Sequence, residues 1–269
     1  MIRLAAACLT ALLLLQLTSC SSTPPKGGGD YAPPEPRDIS GITDAIPRAE
    51  PYSRYGNPES YVVFGKRYYT KKDSKGYREQ GIASWYGSKF HGRRTSSGEV
   101  YDLYKMTAAH KSLPLPTYAR VTNLRNGRSV IVKVNDRGPF HHNRIIDLSY
   151  VAAAKLGILE NGTGLVEVEA IDTSTPRPAV TQVVSKPAVN EDAVMYLQVG
   201  AFSERDNADR LRSRLQTANV GTIQVTEGSG GSGTLYRVRV GPLTSVDEAD
   251  RIANTLVSQG ISDSRVIVD

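Results

Sequence analysis

Two segments near the C-terminus echo one another: MYLQVGAFSERDNADRLRSRL, starting at Met195, and LYRVRVGPLTSVDEADRIANTL, starting at Leu235. Each reads as a strand, a glycine turn, an acidic helix start at Ser203 or Ser245, and an amphipathic helix. Leu211 and Leu215, like Ile252 and Leu256, recur at the i, i+4 spacing of one buried face. With further strands near Ile223 and Val266, the repeat predicts an α+β domain of plan βαββαβ over residues 193–269. Its two helices should lie on one face of a small sheet. Leu197 and Val199 alternate with Tyr196 and Gln198, and Val238 and Val240 with Arg237 and Arg239. The apolar set faces the helices, which leaves Gln198, Arg237 and Arg239 on the open sheet face. That face is either a ligand surface or plainly solvated.

The N-terminus reads as a processing signal. Arg3 precedes an apolar run, Leu4 to Leu17, that is too short for a comfortable bilayer span. Leu17-Thr18-Ser19-Cys20 fits the bacterial lipobox. Residues 1–19 are therefore expected to be removed and Cys20 to carry several acyl chains, enough for a stable membrane anchor. The alternative is an ordinary secretory signal with a chance cysteine. Ser21 stands where an Asp would mark inner-membrane retention, which favours the outer membrane. Of the two cysteines, Cys8 lies in the signal, so the exported chain has no disulfide, thiol nucleophile or cysteine zinc site. The formal net charge of +6 suits a polyanion, and export argues against nucleic acid.

Residues 20–56 are rich in Pro, Gly and Ser and predict a disordered tether. Residues 172–192 have the same character and predict a linker. The first domain then spans residues 57–171. Tyr61–Phe64 and Tyr68–Thr70 suggest a hairpin around a Gly-containing turn. Short β-rich runs follow at Gly81–Tyr86, Thr117–Asn123, Ser129–Asn135, Arg144–Leu148 and Gly164–Ala170, with Asn126-Gly127 as a tight-turn signal. One helix is expected, with Ser149 as N-cap, Val151–Leu156 as body and Gly157 as stop. Many short strands with one small helix indicate a mainly-β closed barrel.

The run GIASWYGSKFHGRRTSSGEVYDLYKMTAAHKSLPLPTYARVTNLRNGRSVIVKVNDRGPFHHNRIIDLS, Gly81 to Ser149, resembles the double-psi β-barrel domain of the rare lipoprotein A family. The repeat domain resembles the sporulation-related repeat, or SPOR, domain over its whole length. The first resemblance implies a six-stranded double-psi barrel with septal lytic transglycosylase activity. The second implies binding to septal glycan strands that have lost their stem peptides. Together they imply peptidoglycan as partner and a periplasm-facing site at the division septum. The membrane would be reached through Cys20, with divisome proteins as further partners.

Cleaving a glycosidic bond needs one carboxylic acid to protonate the leaving oxygen and one carboxylate to manage the developing positive charge or take a proton. Glu99 lies in the glycine-containing loop TSSGE, and Asp136 ends a strand-like run before the turn RGPF. The resemblance carries the catalytic roles onto these two, with His110 and Asp102 lining the same groove. Asp147 aligns with the acid-bearing strand of related barrels such as expansins. Which carboxylate is the acid stays open. His110 reads equally as a buried hydrogen-bonding residue, and Asp147 as a stabiliser of the helix that follows. Trp85 and Tyr86, close to Phe90, suit either a sugar platform or core packing. No histidine pair with zinc spacing, serine elbow, phosphate loop or dinucleotide fingerprint is present, so no metal or cofactor is expected. The expected chemistry closes a 1,6-anhydro ring on N-acetylmuramic acid. Hydrolysis by an inverting carboxylate pair, or wall binding without cleavage, are the alternatives.

Overall fold

The structure is a computed structural model and describes residues 37–141, 143–174, 194–230, 233–261 and 263–269. The chain first makes a hairpin of β1 (Ser60–Val63) and β2 (Lys66–Tyr69), paired antiparallel around Phe64-Gly65. Six strands then close into a barrel: β3 (Arg78–Tyr86), β4 (Thr107–His110), β5 (Thr117–Asn123), β6 (Ser129–Asp136), β7 (Arg144–Ser149) and β8 (Thr163–Ala170). The order around the barrel is β3-β7-β4-β6-β5-β8. The β3–β7 and β4–β6 contacts are parallel and the rest antiparallel. Alternate residues point inward, so Val121, Val132, Val134, Ile146, Leu148, Val166 and Val168 fill the interior.

Between β7 and β8 runs the expected helix, α1 (Tyr150–Leu156). Ser149 caps its start by accepting from Ala152 N–H, and Gly157 ends it in the left-handed conformation at φ 76°. The Leu156 carbonyl accepts from Asn123 Nδ2 and Asn126 Nδ2, each at 3.1 Å, so the β5–β6 turn closes the helix from outside. Valine, alanine and leucine from α1 pack onto the barrel core.

Two features differ from the sequence reading. Strand β4 has no alternating pattern because all four residues are buried between β6 and β7. The segment before β1 is the second difference. From residue 37 onward it is not a free tether but an arm lying along the barrel. Ile39, Ile42 and Ala45 pack against the core, Ala45 N–H donates to Ile131 O at 3.0 Å, and Ser53 N–H donates to Leu115 O at 2.8 Å. Its few apolar side chains are spaced to meet one surface, which overall composition conceals. The remainder of the expected tether, Cys20 with its signal, and most of the linker lie outside the described residues.

The repeat domain comprises β9 (Met195–Phe202), α2 (Arg205–Gln216), β10 (Ile223–Gly230), β11 (Gly233–Leu243), α3 (Val246–Ser258) and β12 (Arg265–Val268). Its antiparallel sheet has the order β10-β11-β9-β12. Leu197, Val199, Val238 and Val240 bury against Leu215, Ala253 and Leu256 of the helices. Ser245 caps α3 through Glu248 N–H, as its position suggests. The N-cap of α2 is Glu204 in place of Ser203, with no side-chain capping bond. Arg144 of β7 reaches Asp250 of α3 with two bonds, at 3.1 and 2.5 Å.

Gly157 tests the helix stop. A Cβ there would sit 2.9 Å from Asn126 Nδ2 and 3.0 Å from Arg128 Nη1, on top of the left-handed penalty. Gly157→Ala should lower unfolding stability by about 1–2 kcal/mol, read as a reduced urea midpoint with an unchanged slope.

Candidate active site

Residues in register across a sheet share a face, and this register builds the barrel rim. Ser84 of β3 pairs with Asp147 of β7, Asp147 with Ala109 of β4, and Ala109 with Asp136 of β6. Two carboxylates thus stand on either side of a small alanine, with backbones about two strand spacings, roughly 9.6 Å, apart. Ser84 Oγ donates to Asp147 Oδ1. Asp147 thus bonds Ser84 on β3 and stands two residues before Ser149, the cap of α1.

Asp136 is held tightly. Its Oδ1 accepts from Ser96 N–H at 2.8 Å, Ser96 Oγ–H at 2.6 Å and Arg137 N–H at 2.8 Å. Arg137 turns away beneath the rim, donating to the carbonyls of Gly56, His110 and Leu113 and to Asn57 Oδ1. No hydrogen bond to Asp136 Oδ2 occurs among the described residues, which leaves that oxygen for a ligand.

Glu99 comes from the loop that Ser96 docks. Thr95 N–H donates to Glu99 O, and Gly98 turns the loop at φ 92°. Both carboxylate oxygens have donors from β6: Lys133 Nζ to Oε1 at 2.8 Å and Asn135 Nδ2 to Oε2 at 2.7 Å. Partial burial works against the charge on Glu99. The bonds from Lys133 and Asn135 outweigh it and hold the carboxyl below its usual range. Asn135 precedes Asp136 in β6 and Ser96 precedes Glu99 in its loop, so both carboxylates are tied to the same strand end and the same loop.

The other expected groups divide. His110 is fully buried. Its Nδ1 accepts from Ser112 and Leu113 N–H at 3.1 and 3.0 Å, so Nε2 carries the proton and donates to Tyr77 Oη at 2.8 Å. Tyr77 in turn donates to Glu79 Oε2 at 2.6 Å. Burial, with the positive charges of Arg137, Lys111 and Lys71, pushes His110 down to about 3. It is neutral, with both ring nitrogens hydrogen-bonded. Asp102 accepts from Tyr104 N–H at 3.0 Å and lies 3.8 Å from His91 Nδ1. Neither Asp102 nor His110 bonds Glu99 or Asp136 among the described residues.

The aromatic platform is corrected in part. Tyr86 is buried beneath Tyr101, with ring centroids 4.2 Å apart, and Phe90 covers its edge. Trp85 is half-buried against Tyr150. Tyr86 thus packs the rim and offers no open face to a sugar. On the repeat sheet, Arg265, Gln198, Arg239 and Gln224 lie in register across all four strands. Gln198 is buried within this row and its Oε1 lacks a protein partner. Arg239 binds Asp269 at 2.5 Å, while Arg237 binds Ser229 O at 3.1 Å. Sequence reasoning missed Lys133, Asn135, Ser96 and Glu50, each of which has a partner distant along the chain.

A family model described as lytic transglycolase, of the double-psi barrel type, matches residues 78–169, and one described as SPOR domain matches residues 192–266. The barrel and the repeat, with these two matches, define a lytic transglycosylase with a SPOR domain. Endolytic peptidoglycan transglycosylase RlpA of Pseudomonas aeruginosa is 40% identical, with 94% of this chain and 93% of that protein covered. The protein of that name from Vibrio cholerae is 41% identical, with 93% and 92% covered. A solved SPOR domain of RlpA from P. aeruginosa shares 29% identity, covering 27% of this chain and 96% of that one, with a TM-score of 0.26. The chain belongs to the endolytic peptidoglycan transglycosylase RlpA family.

The buried His110 has a pH signature. Below roughly pH 6.5 an unfolded histidine takes up a proton that the folded site refuses until about pH 3. Its contribution is complete above the unfolded value and is lost as pH falls, at about 1.4 kcal/mol per pH unit. Between pH 6.5 and 5 the wild-type stability should drop and that of His110→Asn should drop less, as read by urea unfolding at each pH.

Proposed function

We propose that this chain cleaves the bond between N-acetylmuramic acid and N-acetylglucosamine in peptidoglycan strands and leaves a 1,6-anhydro end. The observation that carries this is that two carboxylates in unlike surroundings, Glu99 and Asp136, are tied to one strand end and one loop. Glu99 is fixed in its ionised form, while Asp136 keeps one oxygen open. In this reading the leaving oxygen of the glycan docks at Asp136 Oδ2, and the carboxyl there is the acid that carries the proton. That proton passes to the leaving oxygen as the C1–O4 bond breaks. Glu99 faces the developing oxocarbenium charge with its fixed negative charge. The muramyl 6-hydroxyl then attacks C1 and returns its proton to Asp136, so the acid is regenerated and no water is added. Asp147, across Ala109, would orient a sugar hydroxyl on the far side of the same groove.

The register row on the repeat sheet would supply amide and guanidinium donors to strands stripped of stem peptides. Holding the enzyme on such strands at the septum raises the local substrate concentration. Cys20 would anchor the chain by its acyl groups to the outer membrane, with the barrel facing the periplasm. These assignments are supported by the lipobox, the repeat pattern and family membership.

The lipid-free chain from Ser21, incubated with peptide-free strands, should release fragments one water lighter than those with a reducing end. Glu99→Ala and Asp136→Asn should each cut the rate by about a hundredfold or more. Strands that stay intact while still sedimenting with the protein would make it a binder. Arg239→Ala should weaken that co-sedimentation without slowing cleavage of short soluble strands.

A further inference from the structure

We propose that Lys133 and Glu50 are positioning residues for Glu99, which makes the N-terminal arm a working part of the site. The inference rests on the catalytic reading of Glu99 given above. Lys133 Nζ lies 2.8 Å from Glu99 Oε1 and 3.0 Å from Glu50 Oε2. Glu50 belongs to the arm and sits 83 residues before Lys133. Tyr118 of β5 donates its hydroxyl to Glu50 Oε1, and Arg48 Nε reaches the same oxygen at 2.8 Å. Lys133 and Glu50 side chains are 15% and 21% exposed, against 45% for Glu99. The ammonium is therefore bridged between an anchored carboxylate beneath the surface and a working one at the rim.

A lone lysine–glutamate pair leaves a four-carbon stem free to swing. Here Glu50, fixed by Tyr118 and Arg48, settles where Nζ stands. Nζ and Asn135 Nδ2 then each take one oxygen of Glu99 and fix the plane of its carboxylate. The charges act in opposite directions. Lys133 favours ionised Glu99, whereas Glu50, of like charge and one lysine away, disfavours it. Arg48 and Tyr118 face Glu50, and they complete the set of titratable groups around this bridge.

The test follows the Glu99 carboxyl carbon by NMR titration in the full lipid-free chain, beside the pH profile for release of anhydro ends. Lys133→Met should move the Glu99 titration and the acidic limb of the profile upward by about one pH unit. It should also lower kcat roughly tenfold with little change in KM, through loss of alignment. Lys133→Arg should restore part of both. Glu50→Gln should shift the titration the other way, to lower pH, and lower kcat by a smaller factor. An unmoved Glu99 titration in folded Lys133→Met and Glu50→Gln would overturn the proposal. If Lys133→Met does not fold, Glu50→Gln alone decides by the same readout. If the wild-type protein releases no anhydro ends, the catalytic reading falls, and the Glu99 titration still decides whether the bridge controls that carboxylate.

Discussion

Asp136 Oδ1 accepts three hydrogen bonds, and two of them come from Ser96, forty positions earlier in the chain. That single oxygen joins the end of β6 to the loop carrying Glu99. Ser97 N–H adds a bond to Asn135 O, and the arm reaches the same loop through Ser53 Oγ to Ser97 O. A carboxylate buried among donors on one side keeps its other oxygen directed elsewhere. The arrangement therefore does two things at once: it docks a loop, and it leaves one carboxylate edge without a hydrogen bond among the described residues. Without that docking, Glu99 would ride on a solvated turn, and its alignment with Lys133 and Asn135 would have no fixed frame.

The strands of the barrel were legible where one face is buried and the other wet. β6 shows the alternation that burial against a core demands, and the bounds of β5 and β6 match the expectation closely. β4 was not legible, because Thr107 to His110 are covered on both sides and leave no alternating trace. The arm was misread for a different reason. It reads as one with the proline- and glycine-rich stretch before it, yet Ile39, Ile42 and Ala45 suffice to hold it when a surface is already waiting. Disorder rules count apolar residues, and they do not know what the residues might land on.

The rim itself was partly legible. Glu99 and Asp136 are singled out through the family resemblance, since their loop and turn contexts alone read as solvated. What the sequence could not supply was the difference between them, since that difference comes from Lys133 and Asn135 reaching across from β6. His110 shows the same limit. Its two open roles are separated only by the backbone N–H groups of Ser112 and Leu113 at one ring nitrogen and Tyr77 at the other. Chemistry set by long-range partners has no local spelling, whereas caps such as Ser149 and Ser245 do.

The arm also sits in a mechanically exposed place. Whatever grips the chain upstream of residue 37 must transmit its pull through residues 37–56 before any load reaches the barrel. Those residues include Glu50, one bond from Lys133, and Ser53, one bond from the loop of Glu99. At the other end, Arg144 ties the barrel to the repeat domain through Asp250. A chain stretched between a fixed N-terminal end and a glycan held by its repeat would carry tension directly across the rim.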